Sequence, residues 1–334
     1  MIFLIVGAGP SGLATAICRQ AARLDYVIVE KGVLVNSIFN FPMHMVFFTT
    51  PELLEIGGLP LVTPYDKPTR LEALRYYRRV VDTYDLQISF HEAVTCDRAR
   101  RRTACSSSRR RATAGVTRVR EARAVVLAIG YYDLPNYLGI PGEDLPHVSH
   151  YYTDAHPYYR RRVVVVGGKN SAARSVPRAV SRRRARDARA PPRRRSATRS
   201  NTGCGPTSRT ASRKGSVHGA LRTRACVEIT PTARRHRAGR AREELPAEGV
   251  FLLTGYHPDA DLMRSAGIDV RSPRRWRRTL NMETFETNVP NLFIAGGAMA
   301  GKQTGQHLHR ERPFPRREDH RRARGAAQGG GRAG

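Results

Sequence analysis

Three glycines near the start of the 334-residue chain, Gly7, Gly9 and Gly12, are spaced to hold a phosphate. An apolar run over residues 2–6 reads as a buried parallel strand, and residues Leu13 to Ala22 read as a helix. Between strand and helix, Gly7 permits a tight turn, Gly9 lets the backbone approach a pyrophosphate, and Gly12 lets helix and strand pack closely. The helix N-terminus then faces the negative charge. A second strand, Tyr26 to Val29, ends at Glu30, about 20 residues on, where a carboxylate can accept from ribose hydroxyls. An acid there favours an unphosphorylated ribose, hence FAD or NAD. The residues of this unit expected to bind the cofactor are Gly7, Gly9, Pro10, Ser11, Gly12, Glu30 and Lys31.

The pattern returns once. Residues Arg162 to Val166 form a strand, followed by Gly167, Gly168, Lys169, Asn170, Ser171 and Ala172. Lys169 replaces the middle glycine; its backbone N–H can still meet a phosphate and its side chain adds a charge, but a Cβ limits close approach. Gly167, Gly168, Lys169, Asn170 and Ser171 are the candidates of this second nucleotide site.

Other segments must position these turns. Ala124 to Gly130 reads as a strand ending in a glycine, and Thr287 to Gly297 as another that ends in Ala295, Gly296 and Gly297. Thr69 and Glu72 form a capping box ahead of a helix whose Leu71, Leu74, Tyr77, Val81 and Tyr84 fall near one face. The loop from Asn36 to His44 contributes Asn40 and His44 as further cofactor-binding candidates. His44 reads more readily as a hydrogen-bonded histidine of the core than as a catalyst.

The length suits two domains. The opening MIFLIV is too short for a membrane span and lacks the charged flank of a secretory peptide, so a soluble, cytoplasmic protein is expected. Five cysteines (Cys18, Cys96, Cys105, Cys204, Cys226) form no CxxC and no metal-ligand spacing, and no metal is expected. The formal net charge of +30 would ordinarily point to nucleic acid. Here the excess is confined to residues 98–123, 174–243, 271–278 and those after Gln306, where apolar periodicity lapses. The excess therefore need not describe a binding face, and no nucleic-acid partner is expected.

GPSG in the first turn and TNVPNLFIAGG at 287–297 resemble the two-dinucleotide flavoprotein reductases; SIFNFP at 37–42, GYY at 130–132, YYTDAHPYY at 151–159, GGKNSA at 167–172, GYHPD at 255–259 and NMETFETN at 281–288 together resemble their bacillithiol-disulfide reductase family, thioredoxin-reductase-like flavoproteins. The resemblance implies an α/β fold with two Rossmann-like dinucleotide-binding domains. The FAD-binding domain would comprise residues 1–134 and 255–334, with an NADPH-binding domain, 135–254, inserted between. Gly130, Ala295, Gly296 and Gly297 would lie along the FAD; the acid that usually follows AG is replaced by Gly297. Electrons would run from NADPH through FAD to a small-molecule acceptor, such as bacillithiol disulfide. His156 and His257 stand in family motifs, but no catalytic residue is assigned. Thioredoxin reductases proper carry a CxxC before the second Rossmann strand, whereas Ser149 to Asp154 holds no cysteine. Some disulfide reductases of the family have GPCG in the first turn, where this chain has Ser11. A flavin-dependent monooxygenase is the rival enzyme, and a basic nucleic-acid-binding protein the rival of another class. The sequence leaves a homo-oligomer open.

The arginine-rich stretches read as shifted reading frames within 172–248 and 307–334. Back-translating residues 181–191 with suitable codons and dropping one base gives RAGARVTLVHR, the helix end, strand and arginine that a Rossmann domain needs after its glycine turn. Residues 307–322 treated likewise give IFIENGRSHGEKIIA, a family-like ending. As written, RSVPRAVSRRR offers too few apolar positions to offset an ordering cost of about 1–2 kcal/mol per residue. Resequencing the gene checks this: alternate frames should restore both stretches, and confirmed DNA with no restorable frame would reject the reading.

Overall fold

The computed structural model describes residues 2–96, 104–109, 116–167, 225–231, 233–238, 241–270 and 280–303. In chain order the elements are β1 (Phe3–Val6), α1 (Pro10–Ala21), β2 (Tyr26–Glu30), α2 (Asn36–Phe39), α3 (Arg70–Tyr84), β3 (Ile88–Phe90), β4 (Glu92–Cys96), β5 (Ala104–Arg109), β6 (Val116–Glu121) and β7 (Ala124–Leu127). They continue with β8 (Leu134–Pro135), β9 (Val148–Ser149), β10 (Val163–Val166), β11 (Ala225–Ile229), β12 (Ala233–Ala238), β13 (Ala241–Pro246), β14 (Gly249–Leu252), β15 (Tyr256–His257), α4 (Ala260–Ser265) and β16 (Leu292–Ile294). The chain divides into two units, Met1–Leu134 with Tyr256–Gly334, and Pro135–Gly255.

The first unit is built on a parallel sheet of strand order β16-β7-β1-β2-β3. Its central strands are apolar on both faces, as a parallel sheet covered on both sides requires. Successive residues of β1 divide between two cores. Ile5 joins Leu13, Ala16 and Ile17 of α1 and Tyr76, Tyr77 and Val80 of α3. Leu4 and Val6 join Val125, Leu127, Leu292, Ile294 and Met263 of α4. Strand alternation thus places the helices that carry the glycine turn on one face and the returning C-terminal segment on the other.

The capping box is present. Thr69 Oγ1 accepts from the Glu72 N–H, and the Glu72 carboxylate accepts from the Thr69 N–H at 2.7 Å. The buried stripe of α3 departs from expectation. It runs through Ala73, Tyr76, Tyr77 and Val80, while Leu71 is exposed. Hydrogen bonds set that rotation: Tyr76 accepts from the Ile56 N–H and donates to the Leu59 carbonyl, and Tyr77 donates to the Leu54 carbonyl. Both phenols reach the polar backbone of the incoming loop, which leucine could not do.

Part of the basic region has regular structure. β4, β5 and β6 form an antiparallel meander in the first unit, and β11, β12 and β13 form another in the second. An antiparallel ladder is held by backbone groups, so strands can form where apolar alternation lapses. The first meander is tied to the sheet by buried Glu92, whose carboxylate takes a two-pronged bond from Arg120 (2.9 and 3.0 Å) and one from Ser89 Oγ (2.5 Å). Residues 174–215 and 307–334, which read as shifted frames and so are expected to lack regular packing, lie outside the described residues.

The second unit holds a parallel sheet of order β10-β14-β9. Phe251 and Leu253 pack with Tyr152 on one face, and Val250 and Leu252 with Ile229 on the other. Among the described residues no helix is long and apolar enough to cross a membrane. Replacing Thr69 with Ala removes a cap and should lower stability by about 1 kcal/mol in urea unfolding; an unchanged midpoint would show that the box does not anchor α3.

Candidate nucleotide site

The turn between β1 and α1 lies at the C-terminal edge of the sheet, beside the end of β7. Gly7 adopts φ +108°, and a Cβ there would lie 2.5 Å from the Ala128 carbonyl oxygen. A Cβ on Gly12 would lie 1.9 Å from the Gly7 carbonyl oxygen. Both glycines are therefore demanded by packing. Gly9 differs: its backbone is extended (φ −77°, ψ 174°), open to any residue, and nothing lies within 4 Å of a Cβ placed on it. The turn keeps open backbone where no neighbour requires it.

Gly9 is also the N-cap of α1, with no side chain capping the helix and no acid in its first turn. Pro10 starts the helix without an N–H to satisfy, and the Leu13 N–H bonds the Gly9 carbonyl at 3.0 Å. An uncapped twelve-residue helix behind a glycine cradle fits the pyrophosphate of a dinucleotide.

Glu30 closes the unit from the end of β2. Its carboxylate is buried and accepts from the N–H groups of Ala8 and Gly32, each at 2.8 Å. One acid thus clamps the glycine turn to the second strand. A carboxylate has about four acceptor sites, so two remain beyond these bonds for ribose hydroxyls. Burial raises its pKa above the ordinary 4.5, against the lowering effect of the two backbone donors.

The other candidates of this unit divide. Gly130, at φ +63°, ends the β7 segment, and the Ala295 N–H bonds the Leu127 carbonyl, placing the start of the AGG segment beside that strand. A Cβ on Gly296 would lie 2.1 Å from Ser11 Oγ, so this segment rests on the first turn of α1. Gly7, Gly9, Pro10, Ser11, Gly12, Glu30, Gly130, Ala295, Gly296 and Gly297 are thereby gathered around one edge of the sheet. Lys31 is more than half exposed and pairs with Asp133 at 2.6 Å. Asn40 and His44 are exposed on their loop, and the Asn40 amide donates to the Asn36 carbonyl. His257 engages the Pro258 carbonyl through Nδ1. The side chain missing from the sequence reading is Tyr131, whose ring stands against Gly297; its place in GYY was the available signal.

In the second unit Gly167 follows β10 at φ +150°, and His156 is exposed. Gly168, Lys169, Asn170 and Ser171 lie outside the described residues. Among the described residues no group of His, Cys, Asp and Glu could hold a metal ion.

A parallel sheet flanked by helices, with an uncapped glycine turn and an acid ending the second strand, defines a dinucleotide-binding protein. Residues 4–296 match the family described as pyridine nucleotide-disulphide oxidoreductase. The chain is 35% identical over 311 residues to bacilliredoxin reductase Bdr of Bacillus subtilis, covering 91% of each. Two solved structures are similar. Bacillithiol disulfide reductase Bdr of Bacillus cereus matches with a TM-score of 0.78 and 30% identity over 91% of this chain and 93% of that one. Its counterpart from Staphylococcus aureus gives 0.75 and 30% over 91% and 92%. This chain belongs to the pyridine nucleotide-disulphide oxidoreductases, flavoenzymes that work with FAD and NADPH.

Two outcomes test the geometry. Gly12→Ala drives a methyl into the Gly7 carbonyl and should abolish FAD retention, read as flavin absorbance of the purified protein; retained flavin would contradict the packing. For Glu30, a raised carboxyl pKa contributes stability present below the unfolded value and lost as pH rises through the folded one. Wild type should therefore lose stability relative to Glu30→Gln as pH rises from the ordinary carboxyl range through the raised pKa of Glu30. Urea unfolding across that range checks it, and a constant difference would contradict the shift.

Proposed function

We propose that the first unit, with boundaries at 1–134 and 255–334, is the FAD-binding domain and that residues 135–254 form the NADPH-binding domain. The reaction is electron transfer from NADPH to a disulfide of the bacillithiol class. The observation that carries the reading is Gly9, an open, extended glycine at an uncapped helix start, for which a bound pyrophosphate is the physical reason. Gly7, Gly9, Pro10, Ser11, Gly12 and Glu30 would hold the FAD pyrophosphate and ribose. Gly130, Ala295, Gly296 and Gly297 would line its length, with Lys31, Asn40 and His44 at the exposed margin. Gly167, Gly168, Lys169, Asn170 and Ser171 would take NADPH.

Bound FAD supplies the two-electron chemistry, accepting hydride from NADPH and delivering electrons to the disulfide. The protein's part would be to hold and orient the nucleotides. Absence of cysteine from residues 149–154 and from the first turn leaves no dithiol relay at either family position. A protein disulfide needs such a relay to begin exchange in the usual way, which favours a small disulfide able to reach the flavin. A cytoplasmic location accords with that substrate, and nucleic acid has no place in the scheme.

Stopped-flow reduction of the FAD-loaded protein by each nucleotide tests the donor: NADPH should be faster, and equal or faster reduction by NADH would reject it. Bacillithiol disulfide should then stimulate NADPH oxidation. Oxygen consumption coupled to hydroxylation of a substrate would instead establish the monooxygenase. Running the frame-restored chain in parallel reads what its strand-end arginine adds at the 2′-phosphate.

A further inference from the structure

Position 297 and residue 131 compete for one space. A Cβ on Gly297 would lie 2.7 and 2.8 Å from Cδ1 and Cε1 of Tyr131. Gly296, at φ +69°, is equally confined by Ser11 on its other side. The AGG segment is thus seated between the first turn of α1 and the Tyr131 ring. No side chain can occupy position 297 while that ring stays in place, and the absent acid follows from this packing.

The hydroxyl of Tyr131 is the second observation. Tyr131 is partly buried, and its O–H makes no hydrogen bond among the described residues while remaining open to a ligand. Other tyrosines of the unit are engaged by the protein: Tyr76 and Tyr77 bond backbone carbonyls at 2.9 Å, and Tyr132 donates to the Asn40 carbonyl at 3.4 Å. Tyr131 follows Gly130 at the C-terminal edge of the sheet, where open-sheet α/β proteins bind their ligands.

We propose that Tyr131 is a cofactor-binding residue whose phenol donates a hydrogen bond to an acceptor oxygen of bound FAD, from the space an acid at position 297 would claim. The proposal rests on the reading of the first unit as the FAD site. Burial holds the phenol above its ordinary pKa of 10.0, so it remains a donor throughout the working pH range. This reverses the polarity of the contact. A carboxylate at 297 would accept from a hydroxyl of the cofactor, whereas Tyr131 serves an oxygen that accepts.

The experiment is FAD titration of the full-length apoprotein, followed by flavin fluorescence, with circular dichroism to confirm the fold. Tyr131→Phe keeps the ring and removes one neutral hydrogen bond, so FAD should bind about threefold to tenfold more weakly at unchanged ellipticity. Gly297→Asp should weaken binding in the wild-type background but strengthen it in the Tyr131→Ala background, where the space is free. That sign reversal is a coupling a merely structural tyrosine would not produce. Equal affinity for wild type and Tyr131→Phe, or additive losses in the double variant, would overturn the role of Tyr131 alone. A wild-type apoprotein that binds no FAD would overturn the site reading and the proposal together.

Discussion

The first unit depends on how closely helix α1 sits against strand β1. With a Cβ on Gly12 only 1.9 Å from the Gly7 carbonyl oxygen, the helix can approach only because that atom is missing. The approach brings the uncapped helix start to the C-terminal edge of the sheet. Glu30 then locks the turn by accepting from Ala8 and Gly32. A buried carboxylate is costly unless hydrogen-bonded, and here its two backbone donors also hold the geometry of the site. The atoms that pack the unit are thus the ones proposed to meet the cofactor.

Three kinds of glycine meet at this edge, and they differ in what requires them. Gly7 and Gly12 are required by the protein itself. Gly296 and Gly297 are required by neighbouring side chains, Ser11 and Tyr131, and so report which residues the AGG segment passes. Gly9 alone has free space and an ordinary backbone. A glycine that neither packing nor φ demands is the mark of a ligand approaching the main chain.

Much of this was legible in the sequence because it is local. The β1-turn-α1-β2 order, the ending at Glu30 and the capping box at Thr69 each follow from residues within one or two elements. What escaped was set by contacts distant in sequence. The rotation of α3 toward Tyr76 and Tyr77 depends on loop carbonyls about 20 residues earlier, and the contact between the Tyr131 ring and position 297 joins segments far apart in the chain. The meanders were hidden because their ladders are satisfied by backbone, not by an apolar pattern. The clamp that Glu30 makes on the Ala8 and Gly32 N–H groups was likewise invisible to spacing alone.

The central claim, that Gly9 is glycine for a ligand's sake, is tested most directly by Gly9→Asp. An aspartate N-cap accepts from the first helical N–H groups and suits the positive end of the helix, so the apoprotein should be as stable as wild type or more so. The same carboxylate occupies the pyrophosphate position and repels it, so FAD affinity should fall on the order of 100-fold or more, since like-charge juxtaposition costs several kcal/mol. Thermal unfolding of the apoprotein and FAD titration, measured on the same preparation, give the two readings. Retained stability with lost binding is the predicted result; undiminished FAD affinity in a folded Gly9→Asp protein would contradict the account.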